Sequence, residues 1–227
     1  MKYENIESAI FLARPNRFIA KVRLHGQEVI CHVKNTGRCK ELLVPGAKVY
    51  LEKAANPLRK TLYDLVAVQK GPLLINMDAQ APNQAAHEWL SAGSLGKLSL
   101  IRPETTYGDS RFDFYLEKGK KKGFLEVKGV TLEKDGVVSF PDAPTERGVK
   151  HIEELITCHN NGYFAYLLFV IQMAPVKYFC PNWETHPAFG EALIKAQAAG
   201  VKLLAYECQV TKNSMTITDK VKIELKK

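Results

Sequence analysis

Two carboxylates and one lysine lie close together near the middle of the 227-residue chain, at Asp113, Glu126 and Lys128. Carboxylate oxygens are the ligands that Mg²⁺ and similar hard cations prefer. A cation held in this way polarises a phosphate and lowers the pKa of a bound water, while an adjacent ammonium positions or deprotonates that water and offsets developing charge. If the three side chains converge, they can hold Mg²⁺ or Mn²⁺ through oxygen ligands and place a cation beside an attacking water or a phosphate.

The elements that must bring these residues together are two predicted strands. Apolar and polar residues alternate in segments 111–116 and 124–128, on either side of a Gly/Lys cluster, as is typical of a β-hairpin. If the glycine and lysine at 119–120 form a two-residue turn, antiparallel pairing places Asp113 directly opposite Glu126, with both side chains on one face of the sheet. A slip of one residue would turn Asp113 to the other face, so the prediction depends on the register.

The other face of this hairpin is expected to be apolar. Its residues are Phe112, Phe114 and Leu116 on the first strand and Leu125 and Val127 on the second. Taken alone, the spacing of Asp113, Glu126 and Lys128 is a weak pattern, and a hairpin with a solvated charged face accounts for it without any chemistry.

Four motifs in the surrounding sequence resemble those of a known family. They are NTGR at 35–38, SRFDF at 110–114, LEVKGVTL at 125–132 and FPDAPTERG at 140–148, and together they span most of the chain. In this order the motifs resemble the sugar fermentation stimulation protein (SfsA) family, and the hairpin resembles the D…(E)xK signature of the PD-(D/E)XK nuclease superfamily. One departure is Phe112, which replaces the proline that usually precedes the aspartate.

The resemblance implies a mixed α/β (α+β) fold with two domains. An OB-like N-terminal β-barrel would occupy residues 1–80, and a nuclease-like domain with the order αβββαβ would occupy 81–227. Short strand-like runs over 6–77 independently fit a small closed sheet, and hydrophobic periodicity after Pro82 predicts a helix, three strands, a helix, a strand, a helix and a strand. The resemblance also implies DNA binding without strong sequence preference.

Positive charge is concentrated in the smaller N-terminal part. The whole chain carries a net charge of +8. Residues 1–80 hold 13 Lys/Arg against 7 Asp/Glu, a surplus of +6, whereas residues 81–227 hold 19 against 17, a surplus of +2. This asymmetry favours a domain that grips a polyanion, although solubility is an alternative explanation for a basic surplus.

The loop after the third predicted strand combines anion-binding and basic residues. Asn35 and Thr36 are helix-capping types, and Gly37 lets backbone N–H groups approach an anion. Two cations, Arg38 and Lys40, follow directly. A phosphate-contacting loop and a polar turn that plugs the barrel fit this chemistry equally well, and the resemblance favours the first.

Five other cations are candidate phosphate contacts: Arg14, Arg17, Arg111, Arg147 and Lys150. Exposed turn charges explain Arg14 and Arg17 equally well, and Arg111 is expected either to touch phosphate or to pair with an acid. For Arg147 and Lys150 an ordinary surface cation is the alternative, and the resemblance at TERG favours function. The last two lie in the first turns of a helix that Thr145 is predicted to cap, where the helix N-terminus favours anions.

Three further acids are candidates for the metal site. Glu104 matches an acidic position of the family and is expected to contact the ion directly or through water. Glu88, in the first predicted helix, and Glu146 are accessory candidates, for which an exposed surface glutamate is the alternative. Phe18 and Tyr50, each within an apolar strand pattern, are expected in the core rather than stacked on bases.

Composition narrows the classes of protein further. Five cysteines without a C-x-x-C pair argue against a disulfide framework or a structural zinc site. No apolar run approaches 18 residues and no signal peptide is evident, so a cytoplasmic protein without a membrane segment is expected. Two functions stay open. One is a metal-dependent nuclease that acts on DNA, which is expected to be double-stranded. The other is a DNA-binding factor that keeps the nuclease-like fold but does not cleave DNA. The sequence leaves the oligomeric state open.

Overall fold

The N-terminal part of the computed structural model is a closed β-barrel. The structure describes residues 1–35 and 37–227, so Thr36, predicted with Asn35 as a capping residue, lies outside the described residues. The strands are β1 (Ile6–Asn16), β2 (Ile19–Leu24), β3 (Gln27–Val33), β4 (Lys48–Lys53), β5 (Tyr63–Lys70) and β6 (Leu73–Asn76). They follow the order β3-β2-β1-β4-β5-β6, and β3 also pairs with β5, which closes the barrel.

Alternating side chains fill this barrel. On β2, Ala20, Val22 and Leu24 are buried while their neighbours face outward, as a half-buried strand requires. The predicted OB-like barrel is therefore confirmed. Phe18 is an exception to the expected core, because it lies in the short turn between β1 and β2 and its side chain is 50% exposed.

The remaining chain forms a mixed sheet with helices on both faces. Its elements are α1 (Ala81–Ser91), β7 (Leu100–Tyr107), β8 (Ser110–Lys118), β9 (Lys121–Val130), β10 (Leu132–Lys134), β11 (Val137–Phe140), α2 (Glu146–Asn160), β12 (Phe164–Ile171), β13 (Tyr178–Pro181), α3 (Pro187–Ala199), β14 (Lys202–Thr211) and β15 (Ser214–Lys220). The main sheet has the order β15-β14-β12-β9-β8-β7, in which β9, β12 and β14 are parallel. The predicted sheet-and-helix domain is confirmed, while β10, β11 and β13 add a small second sheet that periodicity did not indicate.

The two faces of the main sheet carry separate cores. α1 packs through Ala85 and Trp89 into a cluster that contains Leu125 of β9. α2 packs through Ile152 into the opposite cluster, which contains Phe124 and continues into the barrel. Because both faces are covered, β12 reads as a nearly continuous apolar run rather than an alternating one.

Two of the predicted helix starts match the structure. The Thr145 hydroxyl accepts a hydrogen bond from the Gly148 N–H at 3.0 Å, so Thr145 caps α2 as predicted. Pro82 lies in the first turn of α1, where its missing N–H costs no helical hydrogen bond. Within the described ranges, no helix has both the length and the apolar composition that crossing a bilayer requires.

The expectation that Phe112, Phe114 and Leu116 share one face is wrong. The Phe112 ring contacts Phe124 on the α2 side, whereas Phe114 lies beside His87 of α1. The β7–β8 ladder pairs Thr105 with Phe112 and Pro103 with Phe114, and between them Glu104 has a φ of 50°, a left-handed conformation that is uncommon for a residue other than glycine. Phe112 and Phe114 therefore lie on opposite faces of the sheet, with Asp113 between them.

Candidate metal site and nucleic-acid interface

The β8–β9 hairpin has the predicted register. Lys118 pairs with Lys121 across a turn at 119–120, and the turn's glycine has a φ of 60°. The paired positions run as far as Phe114 and Leu125, so Asp113 and Glu126 are the next residues beyond the last pair. The hairpin therefore brings the two acids to the point at which the strands separate.

Asp113 lies in the gap where the two strands separate. Its Oδ2 accepts a hydrogen bond from the Val127 backbone N–H at 2.7 Å, and its Oδ1 accepts one from the Asn83 side chain of α1, also at 2.7 Å. Burial, followed by the negative charge of Glu126, raises the pKa of Asp113 to about 6, although both hydrogen bonds and Lys128 act in the opposite direction. The Asp113 carboxyl is therefore largely shielded from water and lies near a second acid, Glu126.

Glu126 is only 3% exposed and uses its two oxygens very differently. Oε1 accepts hydrogen bonds from Lys128 Nζ at 2.7 Å and from His151 Nδ1 at 2.5 Å. Oε2 is buried and has no hydrogen-bond partner among the described residues. Burial by itself would raise the pKa of Glu126, but the hydrogen bond from His151 and the charge of Lys128 outweigh it and lower the pKa below its usual value.

His151 is a site residue that the sequence analysis missed. Arg147 Nε donates to His151 Nε2 at 3.3 Å, so the geometry fits the tautomer that carries its proton on Nδ1, facing Glu126. His151 lies among the buried positions of α2, which are Gly148, His151, Ile152, Leu155 and Cys158. A histidine inside this apolar stripe was a signal available in the sequence. Asn83 carried no comparable signal.

The donor set fits a hard divalent cation. A buried carboxylate oxygen without a partner in the described chain, such as Glu126 Oε2, is costly unless something satisfies it. The charge of Glu126 also acts on the Asp113 carboxyl. Among residues 1–35 and 37–227, no group of three or more His, Cys, Asp or Glu side chains is arranged to hold a metal. Any ion here would therefore rely on Asp113 and Glu126 together with backbone carbonyls or water, and Mg²⁺ commonly keeps several waters.

The other predicted acids occupy different surroundings. Glu104 lines the same cleft as Asp113, is largely exposed, and lies 3.5 Å from Arg111 Nη1. Glu88 also lines this cleft, but its Oε2 pairs with the N-terminal amine at 2.6 Å. Glu146 is exposed and pairs with His186 at 3.2 Å. The cleft therefore brings Glu104 towards the candidate metal site, while the accessory acids Glu88 and Glu146 are engaged elsewhere.

Arg14 and Asn35 shape the basic loop. The Arg14 guanidinium donates four hydrogen bonds of 2.7–2.9 Å, to the carbonyl oxygens of Arg17, Asn35, Gly37 and Arg38. Asn35 Oδ1 accepts from the Gly37 N–H at 2.7 Å, and Asn35 Nδ2 donates to the Met77 carbonyl. No helix begins at Asn35. Both side chains were predicted phosphate contacts, but the structure uses their polar atoms to hold the loop.

The cations that remain available lie around this loop and at the start of α2. Arg17, Arg38 and Lys40 are exposed and line one cleft. Arg147 and Lys150 are exposed on the first turns of α2, and Lys150 lies 3.9 Å from Glu154. These side chains keep their charged ends at the surface, where a phosphate can reach them.

The two loop motifs meet between the domains. Asp142 Oδ2 accepts a hydrogen bond from the Arg38 N–H at 3.0 Å, which joins segment 35–38 to segment 140–148. A cavity between them is lined by residues of both loops and by Gly129, the residue after Lys128. The basic loop, the cavity and the candidate metal site are therefore neighbours.

Comparison with known proteins places the chain in a family. The model described as the SfsA N-terminal OB domain matches residues 12–77, and the model described as the sugar fermentation stimulation protein RE domain matches residues 80–214. The chain belongs to the sugar fermentation stimulation protein family. Homologues named as such from Desulfitobacterium hafniense and Clostridium beijerinckii are 57% identical over 225 residues and 55% identical over 226 residues, and at least 99% of each chain is covered.

A solved structure of this family has the same fold. The structure of Pyrococcus furiosus SfsA in complex with Ca²⁺ matches with a TM-score of 0.89 and 28% sequence identity, covering 99% of this chain and 98% of that one. The similarity therefore extends over both domains.

Proposed function

We propose that the protein is a DNA-binding, metal-dependent phosphodiesterase that acts on DNA, expected to be double-stranded, without strong sequence preference. The observation that carries this proposal is the buried Glu126 Oε2, which has no partner in the described chain. It belongs to a carboxylate whose charge acts on Asp113 and whose other oxygen, Oε1, is bound by Lys128. The Ca²⁺ named in the description of the Pyrococcus furiosus structure supports a divalent-cation site in a protein of the same fold.

Each residue of the site has a distinct part in this proposal. Bound Mg²⁺ or Mn²⁺ would supply Lewis-acid chemistry, polarising the scissile phosphate and acidifying a water. Asp113 and Glu126 would hold the ion, and Glu104 would approach it through water across the shared cleft. Lys128, held against Glu126 Oε1, would position or deprotonate the attacking water and offset negative charge that develops on the phosphate.

DNA binding rests on the distribution of cations. Arg17, Arg38 and Lys40 line a cleft that shares Gly37 with the interdomain cavity. Arg147 and Lys150 lie on the first turns of α2, directly after Thr145, which lines that cavity. Contacts of this kind neutralise phosphates and fix the position of DNA without reading its sequence. Arg111 would add a cation at the mouth of the Asp113 cleft, where it already pairs with Glu104.

The second candidate is a DNA-binding regulatory factor that does not cleave. Two observations favour it. Glu126 Oε1 is already occupied by Lys128 and His151, and no three-side-chain metal group is formed in the part of the chain that the structure describes. Under this alternative, the two acids and the lysine would form a buried cluster whose charges neutralise one another.

A plasmid-nicking assay with Mg²⁺, Mn²⁺ or EDTA separates the two candidates. We expect the wild type to nick only with a divalent ion, and Glu126→Gln and Lys128→Ala to lose on the order of 100-fold in rate or more. Lys122→Ala, at the exposed tip of the same hairpin, is the matched control and should nick normally. Equal nicking by all four proteins, or none under any condition while DNA is still bound, would reject the nuclease.

A further inference from the structure

An exposed aromatic ring stands at one end of the barrel. Phe18 lies in the turn between β1 and β2 with half of its side-chain surface in solvent, and the Arg17 guanidinium lies 5.9 Å from its ring centroid. Single exposed apolar side chains are common on protein surfaces, so the exposure of Phe18 by itself does not indicate a binding site. The residues around the ring do.

Phe18 forms one wall of a cleft between two barrel loops. The opposite wall is the β4–β5 loop, from which Arg59 donates two hydrogen bonds to Asp64, at 2.9 and 2.8 Å. His32 lies between the walls and contacts Asp64 through Nδ1 at 3.0 Å. The Val33 N–H donates to the Phe18 carbonyl at 2.8 Å, which fixes the aromatic turn against β3. The cleft has a volume of about 520 Å³, enough for a small planar ligand.

The electrostatics of this cleft suit a polyanion. Asp64 is buried, and its pKa is lowered because the hydrogen bonds from Arg59 and His32 outweigh the effect of burial, so its negative charge is already compensated. Two cations at the rim are paired with buried acids, Arg59 with Asp64 and Lys34 Nζ with Asp78 Oδ2 at 2.5 Å. Arg17, against the Phe18 ring, has no ion pair among the described residues. A flat apolar ring among cations is the combination by which OB barrels hold single strands, and the β1–β2 and β4–β5 loops are those that such barrels use.

This cleft is continuous with the candidate catalytic region. Asn35 and Ala79 line both the cleft and the interdomain cavity next to Gly129. Gln80 lines the cleft as well, and three residues further along the chain Asn83 holds Asp113. A strand lying in the cleft is thus one helical turn of α1 away from the acid site.

We propose that this cleft binds an unpaired nucleobase of DNA, stacked on Phe18 and held at the edge of the cleft by Arg17. The inference rests on the proposed DNA binding and adds that the preferred ligand carries an unpaired segment. A duplex keeps its base faces stacked inside, so it cannot present one to Phe18. An oligonucleotide with exposed bases gains this contact in addition to the phosphate contacts.

Fluorescence anisotropy with three labelled ligands tests this site. The ligands are an oligo-dT of about 15 nucleotides, the same oligomer with abasic residues, and a duplex. We expect Phe18→Ala and Phe18→Leu to bind oligo-dT on the order of tenfold more weakly than the wild type, and Phe18→Trp to retain binding. The wild type should bind the abasic oligomer about tenfold more weakly than oligo-dT. Phe18→Ala and Phe18→Leu should bind the two oligomers with nearly equal affinity. All Phe18 variants should bind the duplex as tightly as the wild type does. Leu58→Ala, an exposed apolar residue of the β4–β5 loop, is the control and should match the wild type.

The outcomes separate this inference from the proposed function. If the wild type binds all three ligands and the Phe18 variants are unaffected, or lose equally on every ligand, stacking is rejected while DNA binding stands. If the wild type binds no DNA at all, both proposals are rejected. Thermal melting of each variant guards against unfolding as the cause, because Phe18 is half exposed and its replacement should leave the melting temperature nearly unchanged.

Discussion

The central residue is Glu126, whose two oxygens have opposite environments. One accepts two hydrogen bonds, and the other is buried without a partner in the described chain. Removing a donor from such a group leaves a buried charge less compensated, whereas adding a cation would satisfy the orphan oxygen. The orientation of this carboxylate is therefore the property on which metal binding depends.

His151 should control that orientation. We expect His151→Ala to lose about 10- to 100-fold in Ca²⁺ affinity and Mg²⁺-dependent nicking, the range typical of residues that orient a metal ligand. His151→Asn should retain much of both, because the asparagine amide offers an N–H near the position of Nδ1, whereas His151→Gln would offer it near Nε2. Calorimetry with Ca²⁺ measures metal affinity, which depends on the orientation of the Glu126 carboxylate, separately from catalysis. His25→Ala, an exposed histidine of the barrel, is the control, and full Ca²⁺ affinity in His151→Ala would contradict this role.

Asp113 should make stability depend on pH. Its pKa is about 6 when folded and 3.8 at its ordinary value, so the native carboxyl holds a proton more readily than the unfolded one. The group favours folding below about pH 4, and this contribution is lost as pH rises through about 6. Without metal, Asp113→Asn should therefore be more stable than the wild type by about 1–3 kcal/mol at pH 8 and nearly equal to it at pH 4.

Urea denaturation in EDTA measures this difference across pH. In Asp113→Asn, the Asn83 amide can rotate so that its oxygen accepts from the new amide N–H, and a hydrogen bond between the two side chains is kept. Asp219→Asn, on the exposed end of β15, should show no gain of this form. If Asp113→Asn is less stable than the wild type at pH 8, the surroundings of Asp113 do not disfavour its ionised carboxylate.

At the scale of elements, alternation and turn chemistry were enough to predict the β8–β9 register. They could not show that Phe112 and Phe114 lie on opposite faces, because strict alternation places residues two apart on the same face. Phe18 likewise fits an apolar strand pattern, and only the position of the turn exposes it. Sequence patterns specify local structure well, but they do not specify which carbonyls a guanidinium such as that of Arg14 will reach.

The loop at 35–38 should depend on the shape of Arg14 rather than on its charge. A guanidinium satisfies several carbonyls at once through its planar fork, which an ammonium does not reproduce. We expect Arg14→Lys and Arg14→Ala to lose similar stability, about 1–3 kcal/mol, since four carbonyl groups, two of them part-buried, lose their charged donor. Urea denaturation measures the loss, with exposed Arg17→Ala as the control. Arg14→Lys with wild-type stability would contradict this assignment.

At the scale of the whole molecule, polar contacts join the barrel to the sheet domain. Gln172 Nε2, at the end of β12, donates to the carbonyls of Asn76 and Asp78 at 3.0 and 3.1 Å. Asp142 accepts from the backbone of Arg38 on the other side of the interdomain cavity. These contacts hold the basic barrel beside the acid site, so under the proposed function phosphates bound by one domain would lie near the candidate metal site of the other.

The barrel cations should therefore dominate the salt dependence of DNA binding. Each phosphate contact contributes a slope of about −0.9 to the plot of log affinity against log salt for duplex DNA. We expect Arg17→Ala, Arg38→Ala and Lys40→Ala each to make this slope shallower by about that amount and to weaken binding to all duplex sequences alike. Lys212→Ala, in the exposed turn between β14 and β15, should leave the slope unchanged. Anisotropy titrations across a salt series measure the slopes. Equal slopes for the wild type and the three barrel variants would show that DNA, if bound, is gripped by another surface.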